Sequence, residues 1–450
     1  MIKRFFAIAL TLGAMATTSL NAAEGDVMRL TLDEAITLAL SENPTIKIAE
    51  LEVERYDYVR KTTMGSLLPQ VSVDGTFHQI LKNQAMIEGL TLGSNYATIS
   101  AAANVSLALY APAVYRTLKM NATEAAAAVE SARSSRIDLI AAVKDSFYGV
   151  LLAERSLEVL ISSSETSKQT VDETREKFQN GISSEYDLLT AEVQYSNLQP
   201  TILATRSSIE IAKDLLKMYL SIPQSVKIEV VGYLDDYKND VEAIASSLSR
   251  NISENSTVRS LAFSKELLKH QLKVNNSSRM PTLAAYGTLT QTGNNMNYTV
   301  EDFYGASSSS TSNNHFFWQT PSSVGLSLSI PLFSGWSNTS RSRQIKNQIS
   351  QIELQQRYTE ESITLNVSTA ISDIYTARET LVAQQFTVEQ ATKAYSISLT
   401  RYNAGAGTIL ELNTARLSLT QAELNFSQAI YDLLTAKSEY DRLIGSESYR

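Results

Sequence analysis

The sequence predicts a mainly α-helical chain with a membrane β-barrel segment, built as two repeats that each carry a long antiparallel helical hairpin. Three observations carry this prediction. The stretch KFQNGISSEYDLLTA (177–191) recurs in outline as RYNAGAGTILELNTA (401–415), one constant offset carrying Lys177 to Arg401, Gly181 to Gly405 and Ala191 to Ala415. Two long spans, 114–178 and 338–402, contain no proline and between them only Gly149. Directly upstream of each span, two short segments alternate apolar with small polar residues.

The chain opens MIKRFFAIALTLGAMATTSLNAAEGDV. Lys3 and Arg4, an apolar stretch from Phe5 to about Ala16 and the small residues to Ala23 read as a secretory signal peptide, residues 1–23, with a mature start near Glu24. No later stretch reaches the roughly 18 to 20 apolar residues of a membrane helix. The absence of cysteine excludes disulfides, thiol catalysis and cysteine-held metals. Formal charge is −8, and loss of Lys3 and Arg4 would take it to −10, which argues against nucleic acid as a partner. The three histidines, His78, His270 and His315, lie too far apart for a metal-ligand spacing. No metal or cofactor is expected.

Each half opens with helical segments, LTLDEAITLALSENPTIKIAELEVERYDYVRK and DVEAIASSLSRNISENSTVRSLAFSKELLKHQLKV, which share Glu-Ala-Ile at 34–36 and 242–244 and then an Asn-anchored break. Strands follow at 69–80 and 101–110 in the first half, and at 281–291 and 322–333 in the second. The last is the cleanest, with Val324, Leu326, Leu328, Ile330 and Leu332 on one side and Gly325, Ser327 and Ser329 on the other. Strands of about ten residues match the roughly 9 to 11 that cross a bilayer, although an ordinary half-buried sheet alternates in the same way. The polar connections favour the membrane, namely the 80–98 loop and the Ser/Asn-rich 292–320 loop. So do Phe316, Phe317 and Trp318 before the last strand, and Phe333 and Trp336 after it, where an aromatic girdle belongs.

Either of the two proline-free spans, wound as one helix, would be about 98 Å long. The apolar seam steps by sevens: Val143, Val150, Leu157, Ser164, Val171 and Phe178 in the first span. The repeat maps these onto Val367, Ile374, Leu381, Val388, Tyr395 and Tyr402 in the second. Gly181 and Gly405 supply the left-handed conformation that ends each helix. A returning helix then follows, whose apolar positions match again, Leu188 with Leu412 and Ile209 with Leu433 among them. Pro200 has no counterpart at Leu424 and is expected to kink the first returning helix. The hairpins are placed at 114–220 and 337–444, with a partly β-like connector at 221–240 between repeats 24–220 and 241–445. Four strands are too few to close a membrane barrel, which starts at about eight. Since lipid tolerates no open edge, other copies must complete it, and a ring is the default.

The duplicated plan, LPQVSVDG after the second helix, and above all RYNAGAGTILELNTA resemble the TolC-like outer-membrane efflux proteins over about residues 27–444. The resemblance implies a homotrimer with a 12-stranded barrel in outer-membrane lipid and a helical tunnel through the periplasm. It also implies that the tunnel tip meets a periplasmic adaptor (a membrane fusion protein) and an inner-membrane pump, so that the duct serves tripartite efflux or type I secretion without chemistry of its own. By motif position, Tyr402 is the tip tyrosine, Asp187 the acidic partner on the first returning helix, and Glu411 an acidic pore residue. Two positions depart: Gly407 stands where some members carry a linking Arg, and Thr414 where they carry a second acid. Closure is therefore expected to rest on packing by Phe178 and Tyr402 and on hydrogen bonds to Asp187, with Glu411 tuning cation preference. Arg401, like Arg175 and Lys177, is read as a solvated charge or an adaptor contact.

Two other readings stand beside this one. Acidic residues in a helix's first turn, such as Glu185, Asp187 and Glu411, are also ordinary dipole partners and caps. Heptads alone would permit a periplasmic coiled-coil adaptor or scaffold without a pore, which would not need the four strands. An exported enzyme finds no nucleophile elbow or His-Glu-x-x-His helix here, and Gly405-Ala406-Gly407 follows no strand and so makes no phosphate loop.

Overall fold

The computed structural model describes residues 27–80, 96–240, 248–296 and 316–447. The expected signal peptide, the helix carrying 242–244, and most of both polar loops lie outside them. The elements are β1 (Met28–Leu30), α1 (Leu32–Glu42), α2 (Pro44–Gly65), β2 (Gln70–Ile80), β3 (Tyr96–Tyr110), α3 (Pro112–Gln179), α4 (Glu185–Leu220) and β4 (Ile228–Val230). A 3-10 segment (Leu234–Asp240) follows, then α5 (Ser256–Ser277), β5 (Thr282–Met296), β6 (Phe317–Gln319), β7 (Ser322–Ser329), α6 (Ser337–Asn403) and α7 (Ile409–Ile444). By contact the chain divides into two interleaved units, residues 1–48, 133–255 and 361–450, and residues 49–132 and 256–360. They do not coincide with the two sequential halves; each half contributes to both.

The first unit is mainly helical and holds the tip-side part of each hairpin, from 133 in α3 and from 361 in α6 onwards. The returning helices α4 and α7 are 36 residues each. The repeat offset carries both ends of α4, Glu185 and Leu220, onto both ends of α7, Ile409 and Ile444. The heptad seam is what the hairpins bury: Val143, Val150, Ser164, Val171, Val367, Ile374, Leu381 and Tyr402 are all sealed from solvent. Removing these side chains from water, at roughly 25 cal/mol per Å² of apolar surface, is the main stabilising term for helices this long. Two asparagines close the far end in the same way twice. Asn43 Nδ2 donates to the carbonyl of Tyr219 at 2.7 Å, and Asn255 Nδ2 to that of Leu443 at 2.7 Å, each the next-to-last residue of a returning helix. Asn43 also caps α2 through Thr45 N–H. Thr31 and Glu34 form a capping box on α1, and the hydrogen bonds from Thr31 hold the Glu34 carboxyl below its usual range. Helix α4 runs unbroken through Pro200, at the cost of one main-chain hydrogen bond.

The second unit carries an antiparallel sheet in the order β2-β3-β5, with β6 and β7 both paired to β5. Its register sorts the residues into two faces. One row reads Val71, Val105, Gly287, Val324; the next reads Ser72, Asn104, Thr288, Ser323. The apolar face is open to solvent in the single chain, Val324 by 90 %. The other face is hydroxyl- and amide-rich, bound by Thr76–Ser100 and Asn104–Asp74 hydrogen bonds of 2.7 and 2.9 Å. Strand β7 ends at Ser329 rather than at the expected 333. Pro331 has no N–H to give a ladder, so the alternation outlasts the strand. Beyond it, Phe333 and Trp336 meet edge to face with ring centroids 6.4 Å apart. Trp336 itself takes a φ of 64°, an uncommon conformation for a bulky side chain.

Candidate functional site at the hairpin tips

Both tips are built by the same two devices. In the first turn Gly181 N–H donates to the carbonyl of Phe178 at 2.9 Å and Ile182 N–H to that of Lys177 at 2.8 Å. In the second, Gly405 bonds to Tyr402 at 3.1 Å and Ala406 to Arg401 at 2.9 Å. The two glycines have φ of 73° and 71°, the left-handed values that close a helix in this way. A capping box then starts each returning helix. Ser184 Oγ accepts from Asp187 N–H at 3.1 Å while Asp187 Oδ2 accepts from Ser184 N–H at 3.2 Å. Thr408 and Glu411 repeat the exchange at 3.2 and 3.3 Å. Asp187 and Glu411 are thus cap residues in the chain itself, and Glu185 shares the exposed first turn of α4 with Asp187.

Above the turns the two copies diverge. Tyr402 is only 8 % exposed and packs with Val171, Ala191, Ile409 and Leu412. Its hydroxyl hydrogen-bonds Thr174 Oγ1 at 2.8 Å, not Asp187, and the Lys177 ammonium lies 4.3 Å from its ring centroid. Phe178, at the matched position, is 40 % exposed. Ile182, Tyr186, Leu189 and Val193 are exposed around it.

Gly407 also has a local reason. A Cβ there would lie 3.1 Å from Arg401 Cβ and 3.2 Å from Tyr402 N, so the turn is closed over by Arg401. The Arg401 guanidinium reaches Ala406 O at 3.3 Å and the Glu411 carboxylate at 3.7 Å. Arg401 therefore has a partner of its own rather than being merely solvated, although an exposed pair of this kind contributes no more than about 1 kcal/mol. At the first tip Ser183 fills the place of Gly407 and donates to Asp187 Oδ2 at 3.3 Å.

The sequence reading missed Thr174, and it missed Arg416. Arg416 lies on α7, is 3 % exposed, and donates from Nη1 to Ser167 Oγ at 2.9 Å and from Nη2 to Thr170 Oγ1 at 2.6 Å. These bonds tie the second hairpin to α3. The signal was present in the repeat: position 416 matches Glu192, a reversal of charge directly after the matched Ala191 and Ala415. Glu192 instead pairs with Arg175 at 2.8 Å across the first hairpin. Farther along α3, burial pulls the Lys144 ammonium down from the usual lysine range and pushes the Asp145 carboxyl up.

Among the described residues no group of three or more His, Asp or Glu could hold a metal, and no helix is long and apolar enough to cross a membrane. What the tips offer is packing, caps and charge.

The sequence profile of the outer membrane efflux protein family matches residues 35–220 and 248–446. Outer membrane protein TolC of Vibrio cholerae is 22 % identical over 387 residues, 86 % of this chain and 84 % of that protein. The alkaline protease secretion protein AprF of Pseudomonas aeruginosa is 21 % identical over 422 residues, 91 % of this chain and 83 % of its own. In fold, the outer membrane protein VceC of Vibrio cholerae superposes with a TM-score of 0.71 at 12 % identity, covering 92 % of this chain and 96 % of that one. The CmeC outer membrane channel of Campylobacter jejuni does so at 0.71 and 16 %, covering 93 % and 87 %. The chain belongs to the outer membrane efflux protein family, and its place is the outer membrane of a Gram-negative cell, extending into the periplasm.

Proposed function

We propose that three copies of the chain form a passive exit duct, a 12-stranded barrel in the outer membrane continued by a helical tunnel. A periplasmic adaptor and an inner-membrane pump would deliver its cargo. The observation that carries this reading is the sheet. Its edge strands β2 and β7 have no further partner among the described residues, and its apolar face is open to solvent. Unpaired edges are not tolerated in lipid, so the strands must be continued by other copies. With β6 and β7 pairing consecutive stretches of β5 and counting as one strand, three chains supply 12, within the range of membrane barrels. The strands of this sheet carry one carboxylate, Asp74, and no Lys or Arg among the described residues, and Asp74 lies on the polar face. A lumen lined this way suits solute passage and performs no chemistry, in keeping with a family of channels.

Three chains would bring six tips to one opening, which accounts for the duplicated turn. The exposed apolar residues of the first hairpin would then be covered by a neighbouring chain. The family's name speaks of efflux and one relative's of protease secretion, and the tips are suited to meeting an adaptor in either setting. The test is cross-linking in mild detergent, which should stop at a trimer recovered from the outer-membrane fraction with a mature N-terminus near Glu24. A monodisperse monomer that conducts ions, or an intact Met1 on the membrane-bound protein, would contradict the proposal. The scaffold reading predicts solubility without detergent.

A further inference from the structure

We infer that Arg416 is a release latch: a cation sealed between the hairpins without a counter-ion, whose rehydration favours their separation. The inference rests on the reading of the protein as a duct whose tips open and close.

The guanidinium is among the most deeply buried charged groups of the described residues. Among the described residues no carboxylate pairs with it; its two hydrogen bonds go to the neutral hydroxyls of Ser167 and Thr170. Its third donor, Nε, is buried without an acceptor. The Tyr395 ring, 5.7 Å from the guanidinium carbon, offers a face, but the Tyr395 hydroxyl is itself buried and unpartnered. One turn earlier on α7, Asn413 is 5 % exposed and neither side-chain atom finds a partner. The buried groups left without partners thus include donors on Arg416 and Asn413, the Asn413 carbonyl oxygen and the Tyr395 hydroxyl.

Burying a charge is costly even when a partner of opposite sign is present, and more so without one. The surrounding packing supplies the opposing term: Ile409, Leu412, Ile430 and Leu433 of α7 are almost wholly sealed. The closed arrangement is therefore held by apolar burial and by Tyr402, and is opposed by Arg416. If α7 moves from α3, the guanidinium, the Asn413 amide and the Tyr395 hydroxyl all regain water together. The first hairpin has no such device, because Glu192 at the matched position lies at the surface in a pair with Arg175.

A latch and a clasp make opposite predictions for Arg416→Met, which keeps much of the volume and removes the charge. Thr170 would not be orphaned, since its hydroxyl already donates to Thr166 O at 3.0 Å, and Ser167→Ala made alongside removes the one hydroxyl that would be. In planar bilayers containing the full-length protein, Arg416→Met should lower resting conductance several-fold and raise the thermal midpoint by a few degrees, on the order of 2–4 °C. Arg416→Lys, which keeps the charge, should stay at or above the wild-type conductance. Higher conductance for Arg416→Met, or a lower midpoint, would make Arg416 a clasp and overturn the inference, as would an unchanged value of either. A wild-type protein that forms no conducting pore would defeat the duct reading instead, while the thermal midpoints of the same variants still decide whether the buried charge opposes packing.

Discussion

The two hairpin tips share a backbone and differ in what they bury. Both end a long helix on a left-handed glycine, and both restart on a capping box of a hydroxyl residue and an acid three positions later. Yet the second encloses Tyr402, Ile409, Leu412, Asn413 and Arg416, while the first leaves Phe178, Ile182, Tyr186 and Leu189 in the open. Turn geometry is thus set by a few local residues, and the environment of the tip by everything else. One tip is finished within the chain; the other presents a surface that a neighbouring copy or an adaptor would complete.

The largest expected effect separates the tips at their aromatic. Truncating a buried aromatic costs about 3–5 kcal/mol, and Tyr402→Ala also deprives Thr174 and Lys177 of a partner. It should raise resting conductance in planar bilayers and make cells more permeable to large antibiotics, with ion selectivity little altered. Phe178→Ala should do less, in proportion to its exposure. Equal effects would mean that another chain covers Phe178 as fully as this chain covers Tyr402. An unchanged conductance in Tyr402→Ala would place closure elsewhere along the helices.

The next test concerns Gly407, which stands where the first tip has Ser183. Gly407→Ser writes the first tip's residue into the second, where its Cβ would press on Arg401. Overpacking of this kind costs about 1–3 kcal/mol, and the Arg401–Glu411 pair should loosen. The reverse change, Ser183→Gly, removes only a 3.3 Å hydrogen bond to Asp187 and should be nearly silent. Amide hydrogen exchange at 400–412 against 176–188 reads both. Similar losses at the two tips would show that Arg401 yields freely and that the glycine is not required.

How much of this was legible in the sequence follows from the range of the interactions. The helices, the glycine turns and the first-turn acids are local, and their residues announced them. The two faces of the strands were equally plain, because alternation survives without knowledge of the partner strand. Strand ends were less so: the apolar pattern runs through Ile330 and Leu332, and only the ladder shows that pairing stops at Ser329. Arg416 was hidden for the same reason as Thr174. Their partners lie 249 and 228 residues away, and nothing within a helix's own period signals a contact across hairpins. Arg401 was visible as a charge, but its place over Gly407 depends on the fold of the turn.

The capping boxes should respond alike. Ser184→Ala and Thr408→Ala each remove a hydroxyl that accepts one main-chain N–H, worth about 1 kcal/mol. Amide exchange over the first turns of α4 and α7 should quicken by a similar factor in both. A marked asymmetry would show that the environment, rather than the cap, sets local stability.

The smallest effect on the fold, and the most specific for function, belongs to the acids. Glutamine can serve at the third helical position of a capping box as glutamate does, so Glu411→Gln should leave the second tip folded while removing its charge and its contact with Arg401. If six tips surround one opening, three copies of Glu411 would hold like charges on a narrow ring, and such rings favour cations. Cation preference in a planar bilayer should fall while resting conductance stays low. Asp187→Asn is the matched control at the first tip, since it too removes a carboxylate while leaving a side chain able to accept a hydrogen bond. Its expected effect on selectivity is smaller, because Asp187 already accepts from both Ser183 and Ser184 and its charge is held close to the turn. Equal losses from the two changes would mean that both acids face the pore. Loss from Asp187→Asn alone would assign the selective carboxylate to the first hairpin and leave Glu411 as a helix cap.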